Sequence, residues 1–126
     1  MKKILTCLLA LIGLTSACSS KNYEDVDVDG FAELTADSSI VVLDARTAGE
    51  YGEGHIEGAV NIDVKKDDFL QKAKQTLPVD RTIAVYCRSG RRSAKACNLL
   101  SAEGYKCVNL KGGIMAWTGE KKPVVK

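Results

Sequence analysis

The chain has 126 residues, a mass of 13.6 kDa and a composition that is 45% hydrophobic and 27% charged. With 11 Gly and 2 Pro, these values are typical of one globular domain and exclude a collagen-like, coiled-coil or disordered chain. The net charge of +2 corresponds to Lys2 and Lys3, which lie in a segment predicted to be removed. The remaining 16 basic and 16 acidic residues balance, so charge gives no reason to expect a nucleic-acid partner.

A short basic and apolar segment opens the chain. Residues 4–14 carry no charge, and this run is too short to span a bilayer comfortably but has the length of a signal-peptide core. Small residues then lead into Cys18, a pattern that resembles a bacterial lipoprotein signal. We therefore expect a signal peptide over residues 1–17, lipid on Cys18 and an anchor in one of the cell-envelope membranes, facing the periplasm. Ordinary secretion with cleavage near Ala17 is the alternative.

The segment that follows predicts a polar tether over residues 18–29, because its acidic and small residues offer little surface to bury. The globular domain is then predicted over residues 30–126, which is long enough to build a core without disulfide bonds.

The cysteine and histidine content of this domain excludes some kinds of site. Only Cys87, Cys97 and Cys107 remain in it, without a Cys-x-x-Cys pair, and His55 is the only histidine. A disulfide scaffold and a structural zinc site are therefore not expected, and no metal is predicted. Cys97 and Cys107 are expected to pack in the core.

Strand and helix signals alternate along the domain. The predicted strands cover residues 39–44, 82–86 and 106–110. The predicted helices cover residues 67–77 and 93–103, and a short helix opens at 114–117. In the second helix, the residues expected to face inward are Ala94, Cys97 and Leu100, with Ala96 as a further candidate. Strands separated by helices of about ten residues predict an α/β fold with a central parallel sheet and helices on both faces.

The residues that carry chemistry are concentrated in the loop over residues 87–93, Cys-Arg-Ser-Gly-Arg-Arg-Ser. This loop joins a predicted strand to its helix, at the edge of the sheet where ligands bind in parallel folds. Backbone N–H groups converge at such a helix start, and the helix dipole adds positive potential. Gly90 permits the tight curve that this convergence needs.

These surroundings predict a nucleophile beside an anion site. A lone cysteine that ends a buried strand is usually inert, and an arginine cluster is usually a solvated surface. Their convergence with Gly90 favours a functional loop instead, in which Cys87 forms a thiolate. Arg88, Arg91 and Arg92 are expected to hold an anionic substrate.

Three motifs of the sequence resemble those of the rhodanese family, in particular of its single-domain thiosulfate sulfurtransferases. Residues 87–93 resemble the family's active-site loop. Residues 44–61, which include DAR, EY and GHIEGAVN, resemble its first signature, and residues 110–117, LKGGIMAW, resemble its closing one. The three motifs occur in order and extend over most of the predicted domain.

The resemblance implies a small rhodanese-like α/β fold and covalent sulfur transfer. Cys87 would take a sulfane sulfur from thiosulfate or a similar small anionic donor, form a persulfide, and pass the sulfur to a thiol or cyanide acceptor. No metal or organic cofactor is needed for this reaction. The substrate-binding candidates are the other residues of the loop: Arg88, Ser89, Gly90, Arg91 and Arg92. The signature residues expected to determine the fold are Asp44, Arg46, His55 and Gly113.

Three other functions are alternatives that the sequence leaves open. A cysteine phosphatase of a related branch would have arginine six residues after the cysteine, where this chain has Ser93. A thiol redox protein would use Cys87 with Cys97 or Cys107. A catalytically silent binding module in the cell envelope would not need Cys87 at all.

Overall fold

The computed structural model describes residues 21–126, where five strands alternate with five helices. The strands are β1 (Glu24–Val26), β2 (Val41–Asp44), β3 (Val60–Asn61), β4 (Ile83–Tyr86) and β5 (Cys107–Leu110). The helices are α1 (Val28–Thr35), α2 (Ala48–Glu53), α3 (Phe69–Thr76), α4 (Arg91–Ala102) and α5 (Gly113–Gly119). In this part of the chain no helix has the length and apolar character needed to cross a membrane. The expected signal peptide over residues 1–17 and the expected lipid site at Cys18 lie outside the described residues.

The five strands form one parallel sheet in the order β1-β5-β4-β2-β3. β4 lies in the middle, where Val85 is in register with Leu43 of β2 and Asn109 of β5. Because parallel strands end at the same edge, the segments that follow β2, β4 and β5 emerge side by side. The predicted α/β fold with a parallel sheet is confirmed, and the loop that begins at Cys87 leaves the sheet from its central strand.

Helices cover both faces of the sheet, as predicted. Ile83 and Val85 of β4 pack into a core with α3 and α4, whereas Ala84 and Tyr86 pack into a second core with α1 and α5. All four side chains are fully buried. This explains why β4 is a continuous apolar run rather than an alternating one.

The sequence predicts that the domain begins at residue 30, but in the structure it begins earlier. Glu24–Val26 forms the edge strand β1 beside β5, and the Asp27 side chain caps α1 by accepting the Gly30 N–H at 2.8 Å. The predicted tether over residues 18–29 is therefore wrong from residue 24 onward. Its acidic composition indicates a solvated linker, but an edge strand tolerates exposed carboxylates, and aspartate is a preferred helix cap.

The six predicted elements match the structure to within two residues at each end. The helix predicted from residue 93 begins at Arg91. Its buried face includes Ser93 and Ala96, whereas Ala94, which was expected to face inward, is only half-buried. The sequence patterns do not predict β1, α1, α2 or β3, because these elements are short and gain most of their stability from tertiary packing.

A buried ion pair fixes the end of β2 to the end of β4. The Arg46 guanidinium donates to both carboxylate oxygens of Asp44, at 2.7 Å to Oδ2, and the Tyr86 hydroxyl donates to Oδ2 at 2.7 Å. Burial raises the pKa of Tyr86, so its hydroxyl remains a donor. A buried charge pair is stable only when its remaining hydrogen-bonding groups are satisfied, as they are here. The network immediately precedes Cys87 and fits the structural role expected for Asp44 and Arg46.

His55 also has a structural setting. Its ring stacks on Tyr51 with 3.7 Å between the ring centroids, and its Nδ1 lies 2.9 Å from the Tyr51 carbonyl oxygen. The backbone N–H and carbonyl of His55 pair with Val125 near the end of the chain. These contacts agree with a residue that determines the fold.

Candidate active site

The loop over residues 87–93 turns sharply between β4 and α4 at Gly90. This residue has a φ of 102° and is the N-cap of α4. A Cβ atom at Gly90 would lie 3.2 Å from the Gly112 nitrogen and 3.3 Å from the Leu110 carbonyl oxygen. Both the left-handed backbone and the close packing against the chain after β5 therefore require glycine here.

The carbonyl groups of the loop are held by the start of α5. The Ile114 N–H donates to the Cys87 carbonyl at 2.9 Å, and the Met115 N–H donates to the Arg88 carbonyl at 3.1 Å. This approach requires Gly113, where a Cβ atom would lie 2.2 Å from the Arg88 carbonyl oxygen. Because these carbonyls face α5, the N–H groups of the following residues are free to face the cysteine.

The Cys87 side chain lies fully buried at the base of the loop. Its Sγ accepts hydrogen bonds from the Gly90 N–H at 3.1 Å and from the Ser93 hydroxyl at 3.3 Å. Burial alone raises the pKa of a thiol, but the hydrogen bonds from Ser93, Gly90 and the Ser89 N–H outweigh it and lower the pKa of Cys87. The geometry therefore favours the thiolate, which is the nucleophilic form of cysteine.

The three arginines that were predicted to bind an anion have different surroundings. Arg88 is exposed, and its Nε–H donates to the Met115 sulfur at 3.4 Å. Arg91 is also exposed, as the first residue of α4. Arg92 is half-buried and donates to the two carboxylate oxygens of Glu50, at 2.8 and 2.9 Å. Two arginines are therefore accessible to an anion, whereas Arg92 already has an internal carboxylate partner.

Sequence reasoning does not find Glu50 as part of the site. Its carboxylate also accepts hydrogen bonds from the Thr47 N–H and hydroxyl, while the Thr47 side chain accepts the Glu50 N–H in a capping box at the start of α2. The spacing of Thr47 and Glu50 is a capping-box signal, but it predicts only a helix start. Nothing in that spacing indicates Arg92, which lies 42 residues further along the chain.

Ser93 also contacts Cys87, although its sequence position predicts no role for it. It is fully buried in the first turn of α4, and its hydroxyl faces Cys87. A serine at this position of the loop is visible in the sequence. Its orientation follows from the start of α4 at Arg91, two residues earlier than predicted.

Cys97 and Cys107 lie away from the loop, in the core between α4 and the sheet. Both are buried and belong to the same cluster of core side chains. The neighbouring Cys107 thiol and burial raise the pKa of Cys97, so its thiol stays protonated. The prediction that these two cysteines pack in the core is confirmed.

No cluster of three or more His, Cys, Asp or Glu side chains suited to a metal ion occurs among residues 21–126. The groups that surround Cys87 are hydrogen-bond donors and arginines, which suit an anion rather than a cation. The chemistry of the loop is therefore that of a cysteine nucleophile.

The profile of the family described as the rhodanese-like domain matches residues 27–120. The chain belongs to this family. A rhodanese-related protein from Thermoplasma volcanium has the same fold, with a TM-score of 0.72 and 33% identity over 82% of this chain and 98% of the solved chain. The family resemblance of the three sequence motifs is confirmed.

Two relatives of this rhodanese-like chain are named for sulfur transfer. A sulfurtransferase from Allochromatium vinosum is 35% identical over 80% of this chain and 94% of its own length. Thiosulfate sulfurtransferase 18 from Arabidopsis thaliana is 39% identical over 84% of this chain and 88% of its own length. The family and these relatives support sulfur transfer, in general terms, as the activity of this rhodanese-like protein.

Proposed function

We propose that this protein transfers a sulfane sulfur from thiosulfate, or from a similar small anionic donor, to a thiol or cyanide acceptor through a persulfide on Cys87. The observation that carries the proposal is the buried Cys87 sulfur, which accepts hydrogen bonds from Gly90 and Ser93. The name of the Arabidopsis relative supports thiosulfate as the donor.

In the first step the Cys87 thiolate attacks the outer sulfur of thiosulfate. A bond forms between this sulfur and Sγ, the bond to the sulfonate sulfur breaks, and sulfite leaves with the electron pair. The persulfide that results carries one negative charge on its outer sulfur. Exposed Arg88 and Arg91 are the loop cations available to attract the donor dianion.

In the second step the thiolate of an acceptor attacks the outer sulfur of the persulfide. The new sulfur–sulfur bond forms on the acceptor, and Cys87 leaves as a thiolate that again accepts the Gly90 and Ser93 hydrogen bonds. The second step therefore returns negative charge to Sγ, toward which the Gly90 and Ser93 donors already point, and this lowers the cost of placing that charge in a buried loop. Two half-reactions that share one covalent intermediate predict ping-pong kinetics.

Mass spectrometry of the protein after incubation with thiosulfate tests this proposal. We expect a gain of one sulfur atom on Cys87, its release when a thiol or cyanide is added, and the appearance of sulfite in the first step. Cys87→Ser is the matched control and should gain no sulfur. A wild-type protein that stays unmodified with thiosulfate and with other anionic sulfane-sulfur donors would contradict the proposal and would favour a silent binding module.

We also propose that the protein is a lipoprotein of the bacterial cell envelope, anchored through Cys18. The support for this is the sequence pattern alone: a basic start, an apolar core over residues 4–14 and small residues that lead to the cysteine. An oxidising compartment would require the Cys87 thiol to be protected or re-reduced between turnovers.

A further inference from the structure

The ion pair between Glu50 and Arg92 connects the start of α2 to the start of α4. The guanidinium offers two parallel N–H donors to the two carboxylate oxygens, which is the strongest arrangement for such a pair. Both side chains are partly buried, with exposed fractions of 28% for Glu50 and 24% for Arg92. The capping box with Thr47 holds the carboxylate in place independently of Arg92.

This pairing determines what Arg92 can do at the thiolate. Arg92 lies close enough to Cys87 for their charges to interact, yet the hydrogen bonds to Sγ come from neutral groups of Gly90 and Ser93. The donors of Arg92 are directed at Glu50 instead. The positive charge of Arg92 is thus present near Cys87, and the Glu50 carboxylate that contacts Arg92 compensates this charge.

Other charged groups also act near this pair. Asp63, in the chain after β3, also interacts with Arg92 and adds further negative charge on that side. Arg88 and Arg91 are exposed on the loop, where water screens their charges. Glu50 is therefore the carboxylate in direct contact with Arg92. It determines how strongly the positive charge of Arg92 acts on Cys87 and on an incoming donor.

We propose that Glu50 is a specificity-determining positioning residue, which holds Arg92 away from the Cys87 thiolate and limits the preference of the site for dianionic sulfur donors. The inference rests on the proposed function, because it concerns the donor of that same reaction. Its physical basis is Coulombic: an uncompensated guanidinium beside the thiolate would stabilise a doubly charged donor more than a singly charged one.

Two donors that deliver the same sulfur atom test this inference. Thiosulfate carries two negative charges and releases sulfite, whereas methanethiosulfonate carries one and releases methanesulfinate. We expect Glu50→Gln to raise the ratio of kcat/KM for thiosulfate to that for methanethiosulfonate by about three- to tenfold. Glutamine keeps the size and an oxygen acceptor for Thr47, so the change removes charge with little change of shape. Glu53→Gln, an exposed residue on the same helix, is the matched control and should leave the ratio unchanged.

A double-mutant cycle separates this electrostatic role from a purely structural one, in which the ion pair would only hold α2 against α4. Arg92→Gln leaves the Glu50 carboxylate uncompensated and should lower the same ratio, and the double variant Glu50→Gln/Arg92→Gln should return it close to the wild-type value. The inference is overturned if Glu50→Gln and Arg92→Gln change the ratio in the same direction, or if neither changes it, because loss of a purely structural contact affects both donors alike.

A second readout does not depend on sulfur transfer. The pKa of Cys87, measured from the pH dependence of its alkylation by iodoacetamide, should fall in Glu50→Gln, rise in Arg92→Gln and return to the wild-type value in the double variant. If wild type takes no sulfur from either donor, the proposed function fails while this titration still tests Glu50. A pKa that rises in Glu50→Gln would overturn the role assigned to Glu50 and leave the proposed function standing.

Discussion

The hydroxyl of Ser93 donates a hydrogen bond to the sulfur of Cys87, six residues earlier in the chain, with 3.3 Å between Oγ and Sγ. Ser93 is fully buried, so water cannot replace this donor if the hydroxyl is removed. A hydrogen bond to a charged group is worth about 1.5–3 kcal/mol. If Cys87 is the nucleophile of the proposed reaction, Ser93 is expected to contribute to the rate by stabilising its thiolate.

Ser93→Ala should accordingly reduce kcat/KM for sulfur transfer by about one to two decades. It should also raise the pKa of Cys87, because one of the groups that stabilise the thiolate is lost. The pH profile of kcat/KM checks both effects, and its acid limb should move to higher pH. Ser39→Ala, which removes an exposed turn hydroxyl, is the control. A profile that does not move would show that the backbone N–H groups alone set this pKa.

The same loop predicts that the protein does not hydrolyse phosphate esters. Ser93 occupies the position six residues after Cys87 where a phosphatase of the related branch would have arginine, and Arg92 is paired with Glu50. We expect sulfur transfer from thiosulfate and negligible release of phenol from an aryl phosphate, followed in parallel assays. Robust phosphatase turnover that depends on Cys87, without any persulfide adduct, would overturn the assignment.

The two core cysteines should not be required for turnover. The hydrogen bonds to the Cys87 sulfur come from Gly90 and Ser93, whereas Cys97 and Cys107 pack in the core. The double variant Cys97→Ala/Cys107→Val should therefore keep sulfur transfer within a few-fold of wild type. A loss of stability of about 1 kcal/mol is expected from the small cavity left at Cys97, and urea unfolding measures it. A large loss of activity in a folded double variant would favour a thiol redox function.

The pair of Glu50 and Arg92 also predicts how stability depends on pH. The hydrogen bonds from Arg92, together with those from Thr47, lower the pKa of Glu50 from its ordinary value of 4.5 to about 2. The pKa of Glu50 is lower in the folded than in the unfolded protein. The ion pair therefore stabilises the fold fully above about pH 4.5, and this stabilisation is lost as the pH falls toward 2.

Urea unfolding of wild type and Glu50→Gln at several pH values measures this difference. We expect wild type to be more stable by about 1–2 kcal/mol at neutral pH, after allowance for solvent screening of a partly exposed pair, and the two proteins to converge near pH 2. A difference that persists unchanged at low pH would show that the lost side-chain packing, and not the charge, is responsible.

The proposed anchor has its own test. Cys18→Ser should abolish acylation and leave the precursor uncleaved or misprocessed, because the lipid is carried by that sulfur. Metabolic labelling with a fatty acid and fractionation of the cell envelope measure both effects. A wild-type protein found unmodified and free of membranes in the envelope fraction would contradict the proposal.

The strand, loop and helix around Cys87 could be predicted from the sequence because their signals are local. A buried strand, a cysteine, a glycine and a helix follow one another within residues 82–103, and each is visible in residue types and spacing. The two cores could be predicted in the same way, because a strand buried on both faces has an apolar residue at every position.

The features that could not be predicted depend on contacts distant along the chain. Glu50 and Arg92 are separated by 42 residues, and their spacing carries no signal of pairing. β1 is a strand only because it lies beside β5, and three residues with two exposed carboxylates do not form one alone. The contact between Cys97 and Cys107 likewise arises only when α4 folds over the sheet.

The early start of the fold at Glu24 limits how far the domain could stand from a membrane. The chain from Cys18 to Glu24 has seven residues and, at no more than about 3.6 Å per residue, reaches at most about 25 Å when fully extended. Were Cys18 acylated, a domain tied at β1 would stay close to the headgroup layer. Because β1 is parallel to β5 and β4, Glu24 lies at the edge of the sheet opposite the one that carries Cys87. The loop over residues 87–93 would then face away from the anchored end, toward the aqueous side where soluble donors and acceptors diffuse.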